Sequence, residues 1–232
     1  MSKTESQIDK PKPDSTRDRI LLKAGPIFAA KGFRATTVRE ICKRANVNLA
    51  SINYYFGDKK QLYKQTVVLA RQMRAEKVPY PTWGNNTPPE EKLEDFIGVI
   101  LERLVAMESE PWQVRLLMRE ILQPTEACRH LVKEYFQPFF ETLLQIVDDL
   151  VGRRLPESHR NQIGFSILGQ CLFYRFSADV TTMMIGEAEY REHFEREHLK
   201  SHITRFSLGA IEAIKQRVEN ESQLETAAEP AR

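Results

Sequence analysis

The sequence predicts an all-α chain in two parts, a small three-helix domain built around a helix-turn-helix and a larger helical domain after it. Three observations carry this expectation. Apolar residues recur at three- and four-residue spacing along most of the chain, while alternating runs and hairpin turns are nearly absent. Residues 37–56 read as a short helix, a tight turn and a second short helix. The stretch 79–89, PYPTWGNNTPP, is too rich in Pro, Gly and Asn for a helix and divides the chain. The expected organisation is a disordered arm over 1–14, the helix-turn-helix domain over 15–77, the larger domain over 78–218, and a flexible tail over 219–232.

The first helix starts near Asp14 or Ser15, and Ser15 with Asp18 has the spacing of a capping box. Its apolar stripe is Ile20, Leu21, Ala24, Ile27 and Phe28, and Gly32 ends it. Pro26 removes a backbone donor and predicts a bend. Thr37 with Glu40 is a second capping box, opening a helix through Ala45, and Asn46-Val47 makes the turn. A third helix covers about Asn48 to Phe56, and Asp58 caps a long helix from Lys59 to about Val78. Beyond the Pro-rich stretch the spacing predicts helices over 89–109, 111–122, 125–151, 157–185 and 188–218. Their breaks fall at Glu110-Pro111, Gln123-Pro124, Gly152 to Pro156, and Gly186.

Three scattered cysteines, Cys42, Cys128 and Cys171, form no C-x-x-C pair, which fits a reducing compartment and argues against a thiolate zinc site. The opening residues MSKTESQIDKPKPDS lack the apolar core of a secretory signal. The most apolar run, Ile163 to Ile185, carries Gln170, Arg175 and Asp179, so it reads as a buried helix and not a membrane span. A cytoplasmic protein without a membrane partner is expected.

Charge is distributed unevenly. Residues 1–77 hold 17 Lys and Arg against 7 Asp and Glu, a net of +10, and the remainder hold 17 against 25, a net of −8. A basic end of this kind attracts a polyanion. The helix-turn-helix supplies the means, because a B-DNA major groove is about 12 Å wide and admits one helix. Val38, Ile41, Cys42, Val47, Ile52 and Phe56 can hold the two short helices on the first. Asn48, Leu49, Ala50, Ser51, Asn53, Tyr54 and Tyr55 are then left around the second short helix. Asn and Ser can bond base edges, and Tyr hydroxyls suit phosphate oxygens.

Gly32-Phe33, Thr36-Thr37-Val38-Arg39-Glu40-Ile41, Ala45-Asn46-Val47 and Tyr54-Tyr55-Phe56-Gly57-Asp58-Lys59-Lys60-Gln61-Leu62 stand in the order of the TetR family signature. The match covers roughly residues 15–65, about a quarter of the chain, and several spacings agree together. The resemblance implies a homodimer reading double-stranded DNA at a palindromic operator, usually as a repressor released by a small-molecule effector. It carries Asn48, Leu49, Ala50 and Ser51 to base edges, with Asn53 beside them. Tyr54 and Lys59 fall to phosphates, with Tyr55 adjacent, and Thr37, Val38 and Arg39 to the DNA backbone. Two departures stand out: Asn46 where many members have Gly, and Ile52-Asn53 where many have Leu-Tyr. The string Asn48 to Lys59 is similar to the CecR-like branch, as are Arg119-Glu-Ile-Leu-Gln-Pro-Thr125 and Gly169-Gln-Cys171. That branch is associated with control of transport and drug-sensitivity genes.

For the larger domain the resemblance implies an effector pocket and a dimer interface made by the last two long helices. Aromatic, Met and inward polar residues suit a pocket, which marks Trp112, Arg115, Met118, Phe136, Phe140, Gln170, Phe173 and Arg175. Helical stripes of this composition also simply pack a core. Ile163, Ile167, Cys171, Tyr174 and Ala178 give one apolar face, and Ile203, Phe206, Leu208, Ala210, Ile211 and Ile214 another. His193, His198 and His202 have no third ligand at a recognised spacing, so no metal and no cofactor is expected. No phosphate-cradling Gly loop or nucleophile elbow appears, and an enzyme is not expected. A non-specific architectural DNA binder would use the same basic domain, but has little need of a ligand-sized acidic one.

Overall fold

The computed structural model describes residues 16–104, 111–153 and 155–228, with backbone only at 218–219 and 221–228. The arm 1–14, the capping of the first helix by Asp14 or Ser15, and the break at Glu110 lie outside these residues. Every regular element among the described residues is helical. In chain order these are α1 (Thr16–Ala35), α2 (Val38–Ala45), α3 (Leu49–Phe56), α4 (Lys59–Lys77), α5 (Pro89–Leu104), α6 (Trp112–Leu122) and α7 (Glu126–Leu131). After a π-turn (Val132–Phe136) come α8 (Gln137–Val151), α9 (Glu157–Phe176), α10 (Ala178–Ile185), α11 (Glu187–His193) and α12 (Arg196–Ala228).

Two compact units result, and they do not follow chain order. The first takes the described residues up to Arg74 together with those from Pro111 to Arg129, and the second takes the rest. In the first unit Ile20, Ala24 and Phe28 of α1 are fully buried with Ile41 of α2, Ile52 of α3 and Leu62 of α4. Helix α6 joins them, burying Val114, Leu116 and Met118. It packs along α1, where the indole of Trp112 meets the bare backbone of Gly25 and Arg119 lies against Gly32. Pro26 does not interrupt α1. The non-helical residue is Gly32, at φ 76° and ψ 174°, a conformation open to glycine.

The second unit is a bundle of α5, α8, α9 and α12 around Leu93, Phe96, Ile97, Leu143, Val147, Ile167, Cys171, Ile203 and Ile211. The turn from α8 to α9 is held by a buried ion pair. Arg160 Nε lies 2.9 Å from Asp148 and its Nη2 lies 2.9 Å from Glu141. The other Asp148 oxygen accepts the Leu155 N–H at 3.1 Å. The Pro-rich stretch is pinned too: Arg103 donates twice to the Val78 carbonyl, at 3.0 and 2.7 Å, and Trp83 Nε1 donates to Asp95.

Three of the long expected helices are subdivided. Residues 126–151 contain the π-turn because Pro138 has no N–H for the Glu134 carbonyl. The Gln137 N–H reaches back to Val132 instead. The 157–185 helix breaks at Ser177, whose hydroxyl and N–H both engage the Phe173 carbonyl, at 2.6 and 2.8 Å. Arg175 and Asp179, four positions apart, therefore sit on different helices. The 188–218 helix breaks at Phe194-Glu195, and α12 then runs on to Ala228, past Glu219. Residues 219–228, ENESQLETAA, contain no Gly or Pro and favour the helix.

Candidate nucleic-acid interface

Local chemistry builds the helix-turn-helix cap by cap. Thr37, in extended backbone, accepts the Glu40 N–H at 3.2 Å and so starts α2. The reciprocal half of the capping box is absent, since the Glu40 carboxylate turns to Lys31 Nζ at 2.6 Å. Asn46 ends α2 in the left-handed region, φ 51° and ψ 56°, with its N–H on the Cys42 and Lys43 carbonyls. Among described non-glycine residues it alone has positive φ, so the turn uses Asn where glycine is common in the signature. Asn48 then caps α3, its Oδ1 accepting from Ser51 N at 2.9 Å and Ser51 Oγ at 3.0 Å. Asp58 accepts the Gln61 N–H at 2.8 Å and starts α4, as expected.

Burial sorts the faces of α3. Ile52 and Phe56, one turn apart, are buried. Leu49, Ala50, Asn53, Tyr54 and Tyr55 are exposed, Tyr54 to 83%, an exposure that leaves its hydroxyl open to a partner. The rings of Tyr54 and Tyr55 meet edge to face at 5.0 Å. Thr37 and Arg39 are exposed at the start of α2 and Val38 is half-buried.

Two expected contacts have other partners in this structure. The Asn48 oxygen is committed to its cap, which leaves the amide NH2 as its outward donor. Lys59 lies half-buried with Nζ 4.6 Å from the Phe33 ring centre and 3.3 Å from the Arg34 carbonyl, and burial pushes its pKa down.

A solvent-open depression of about 650 Å³ lies where the start of α1 meets the turn. Its lining includes Thr16, Arg19, Lys43, Asn46, Asn48 and Ser51. Arg19 and Lys43, both exposed, had not been singled out from the sequence. The net charge of +10 pointed to this end, but only packing brings α1 beside the turn.

The eight residues marked for an effector divide between the units. Trp112, Arg115 and Met118 are on α6 in the first. There the Trp112 ring packs on Gly25, Met118 is buried and Arg115 is exposed. Phe136, Phe140, Gln170, Phe173 and Arg175 are in the second. Phe140 stacks on Phe165 at 4.5 Å and covers Gly164, the Gln170 amide reaches the Ser166 carbonyl at 3.4 Å, and Phe173 is exposed. Phe136 and Arg175 are half-buried.

Residues 20–66 match the family described as bacterial regulatory proteins, tetR family. Residues 89–211, more than half the chain, match the family described as HTH-type transcriptional dual regulator CecR, C-terminal domain. The chain belongs to the TetR family, with a CecR-type C-terminal domain. Both matched families are described as regulatory proteins.

Among relatives of this TetR-family chain, the probable HTH-type transcriptional regulator YttP of Bacillus subtilis is 29% identical over 121 residues. That alignment covers 52% of this chain and 58% of YttP. The biofilm operon icaADBC HTH-type negative transcriptional regulator IcaR of Staphylococcus aureus is 39% identical over 51 residues, 22% of this chain and 27% of IcaR. The chain thus spans little more than half, or about a quarter, of these relatives' lengths. The fold is shared with HlyIIR, a hemolysin II transcriptional regulator, at TM-score 0.54 and 23% identity over 83% of this chain and 99% of HlyIIR. It is also shared with a transcriptional regulator from Rhodococcus sp. Rha1, at TM-score 0.55 and 14% identity over 85% of this chain and 96% of that one. The matched families are regulators and not enzymes.

Among the described residues no helix is long and apolar enough to cross a membrane. Nor do any three His, Cys, Asp or Glu among them gather as a metal site.

Proposed function

We propose that two copies of this chain bind a palindromic operator in the cytoplasm and repress the genes behind it, and that a small molecule bound by the C-terminal unit releases them. The observation that carries this reading is the exposed face of α3, Leu49 to Tyr55, beside the basic rim of Arg19 and Lys43. In this reading Leu49, Ala50, Ser51, Asn53 and the Asn48 amide meet base edges in the major groove. Tyr54, Tyr55, Lys59, Arg19 and Lys43 meet phosphates, and the amino end of α2 at Thr37, Val38 and Arg39 approaches the DNA backbone. Lys59 then exchanges the Arg34 carbonyl for a phosphate oxygen.

Repression is supported by the name of IcaR, a negative regulator, while the CecR-type match bears the name of a dual regulator. Dimerisation is supported by two exposed stripes in the second unit. One runs along α9 through Phe165, Gly169, Phe173 and Phe176, and the other along α12 through Phe206, Gly209, Ala210 and Ala213. Apart from the chain neighbours and the helix's own backbone, no described atom lies within 4 Å of the Cβ position at Gly169 or Gly209, which suits close approach of a second helix. Control of transport or drug-sensitivity genes is the target class that fits the CecR-type domain.

The test is selection of random duplex DNA by the purified chain, followed by titration of the best sequence against a scrambled one. A palindrome bound at least about a thousandfold more tightly than the scramble supports the reading. Equal, salt-sensitive binding to both would mean an architectural DNA binder.

A further inference from the structure

The segment Arg119-Glu120-Ile121-Leu122-Gln123-Pro124-Thr125 leaves one feature unused by the DNA-contacting surface: a carboxylate buried completely. Glu120 is 0% exposed. A carboxyl group out of water needs hydrogen-bond partners, and it has three. Tyr63 of α4 donates its hydroxyl to Oε1. On the far side Thr125 donates its hydroxyl to Oε2 at 2.9 Å and its N–H to the same oxygen at 3.3 Å. The Thr125 hydroxyl oxygen in turn accepts the Ala127 N–H at 3.1 Å and so opens α7.

One carboxyl group thus ties Thr125, which opens α7, to Tyr63 of α4. Its neighbour Arg119 donates to the Ala30 carbonyl at 3.2 Å and lies against Gly32, where α1 departs from helical geometry ahead of α2. Tyr63 packs edge-on against Phe28 at 4.8 Å and touches Phe33 at 5.1 Å, inside the core that seats the helix-turn-helix. The chain enters this segment from the C-terminal unit and returns to it after Arg129.

We propose that Glu120 and Arg119 are positioning residues for DNA binding. Together they form a latch that fixes α4 and the end of α1 to the α6–α7 segment and so holds the helix-turn-helix in its DNA-binding pose. The latch lies wholly within the first unit, and its role in DNA binding rests on the operator reading above.

Two measurements on the full-length chain test it. The first is hydrogen exchange of Glu120→Gln, which keeps the size but replaces one acceptor oxygen by an NH2 that faces donors. Exchange is expected to rise together in residues 59–66 of α4 and 125–131, with α8 unchanged. A rise confined to 125–131 would overturn the latch.

The second is a double-mutant cycle on the selected operator. Tyr63→Phe and Glu120→Gln should each weaken binding about tenfold, and the double variant no more than either alone. Ile20→Val, a core change that does not touch the latch, serves as the stability control. Wild-type operator affinity in Tyr63→Phe overturns the proposal, as does a loss that tracks melting temperature along the same line as Ile20→Val. A wild-type chain that selected no sequence would sink the operator reading while the exchange result still stood.

Discussion

The indole of Trp112 lies over Gly25 so closely that a Cβ there would come within 2.4 Å of Cζ3 and 2.5 Å of Cη2. This contact, 87 positions apart in sequence, is how α6 comes to belong with α1. The flat ring can approach because Gly25 offers only backbone, and a rigid indole cannot yield as a flexible side chain would.

Gly25→Ala therefore opposes two effects. Alanine favours a helix interior over glycine by about 1 kcal/mol, while overpacking a rigid contact costs roughly 1–3 kcal/mol. The clash wins, and thermal denaturation should give a lower Tm for Gly25→Ala. Trp112→Ala removes the obstacle, so in that background the same change should be neutral or stabilising. Additive losses would mean that the contact is looser than it stands here.

The two asparagines around the turn separate by their roles. Asn46 serves through its left-handed backbone, so Asn46→Gly should keep stability within a few tenths of a kcal/mol. Asn46→Ala, with a Cβ at φ 51°, should cost about 1 kcal/mol. Asn48 serves through its oxygen, so Asn48→Ala should cost about 1 kcal/mol and Asn48→Ser much less. Urea melts read all four. A stable Asn46→Ala would remove the conformational account of the turn.

These positions also show what was legible in the sequence. Thr37, Asn46 and Asp58 act on backbone groups within four residues, so residue type and spacing were enough to place those caps and the turn, whereas Asn48, expected inside α3 and at base edges, was not read as its cap. The alternation of buried Ile52 and Phe56 with exposed Tyr54 and Tyr55 was legible for the same reason. The recruitment of α6 into the first unit was not, because a lone Gly25 inside a helix and a lone Trp112 carry no mark of each other. The π-turn before Pro138 and the break at Ser177 arise from competition for single carbonyls, which an apolar period averages away. The exposed stripe of Phe206 and Ala210 was read as apolar along with Ile203 and Ile211. Burial separates them: the isoleucines face the bundle and the phenylalanine does not.

Lys43 tests the rim of the interface against its centre. An exposed ammonium meeting a phosphate attracts every sequence alike, and its removal lowers the slope of log K against log salt by about 0.9. Lys43→Ala should weaken operator and scrambled DNA equally and flatten that slope. Asn53→Ala should leave the slope alone and relax preference at one base position of each half-site, a discrimination of about 1–3 kcal/mol. Fluorescence titrations at several salt concentrations distinguish them. A Lys43→Ala variant with the wild-type slope would take Lys43 off the phosphate contact.

The ion pair under the α8–α9 turn bears on the second unit alone. Asp148 and Arg160 are both almost fully buried, while Glu141 is 61% exposed. Asp148→Ala leaves a guanidinium in the interior with one solvent-screened partner and also orphans the Leu155 N–H, so a loss of about 3–5 kcal/mol is expected. Glu141→Ala should cost no more than about 1 kcal/mol. Denaturant unfolding measures both, and equal losses would show that the two carboxylates share the guanidinium evenly.

The apolar stripes on α9 and α12 yield the last prediction. Phe173 is 58% exposed and Phe206 61%, so a charge at either position should change the stability of a single chain by less than about 0.5 kcal/mol. Between two chains the same charge would be buried against phenylalanine without a partner, and it should dissociate the pair. Light scattering at micromolar concentration should find a dimer for the wild type and a monomer for Phe206→Glu or Phe173→Glu. The melting temperature of the wild type alone should rise with concentration. Operator affinity should then fall by about 10²–10⁴, because the second half-site is no longer bound intramolecularly. A Phe206→Glu chain that stayed dimeric, or a wild type already monomeric, would move the interface off these helices.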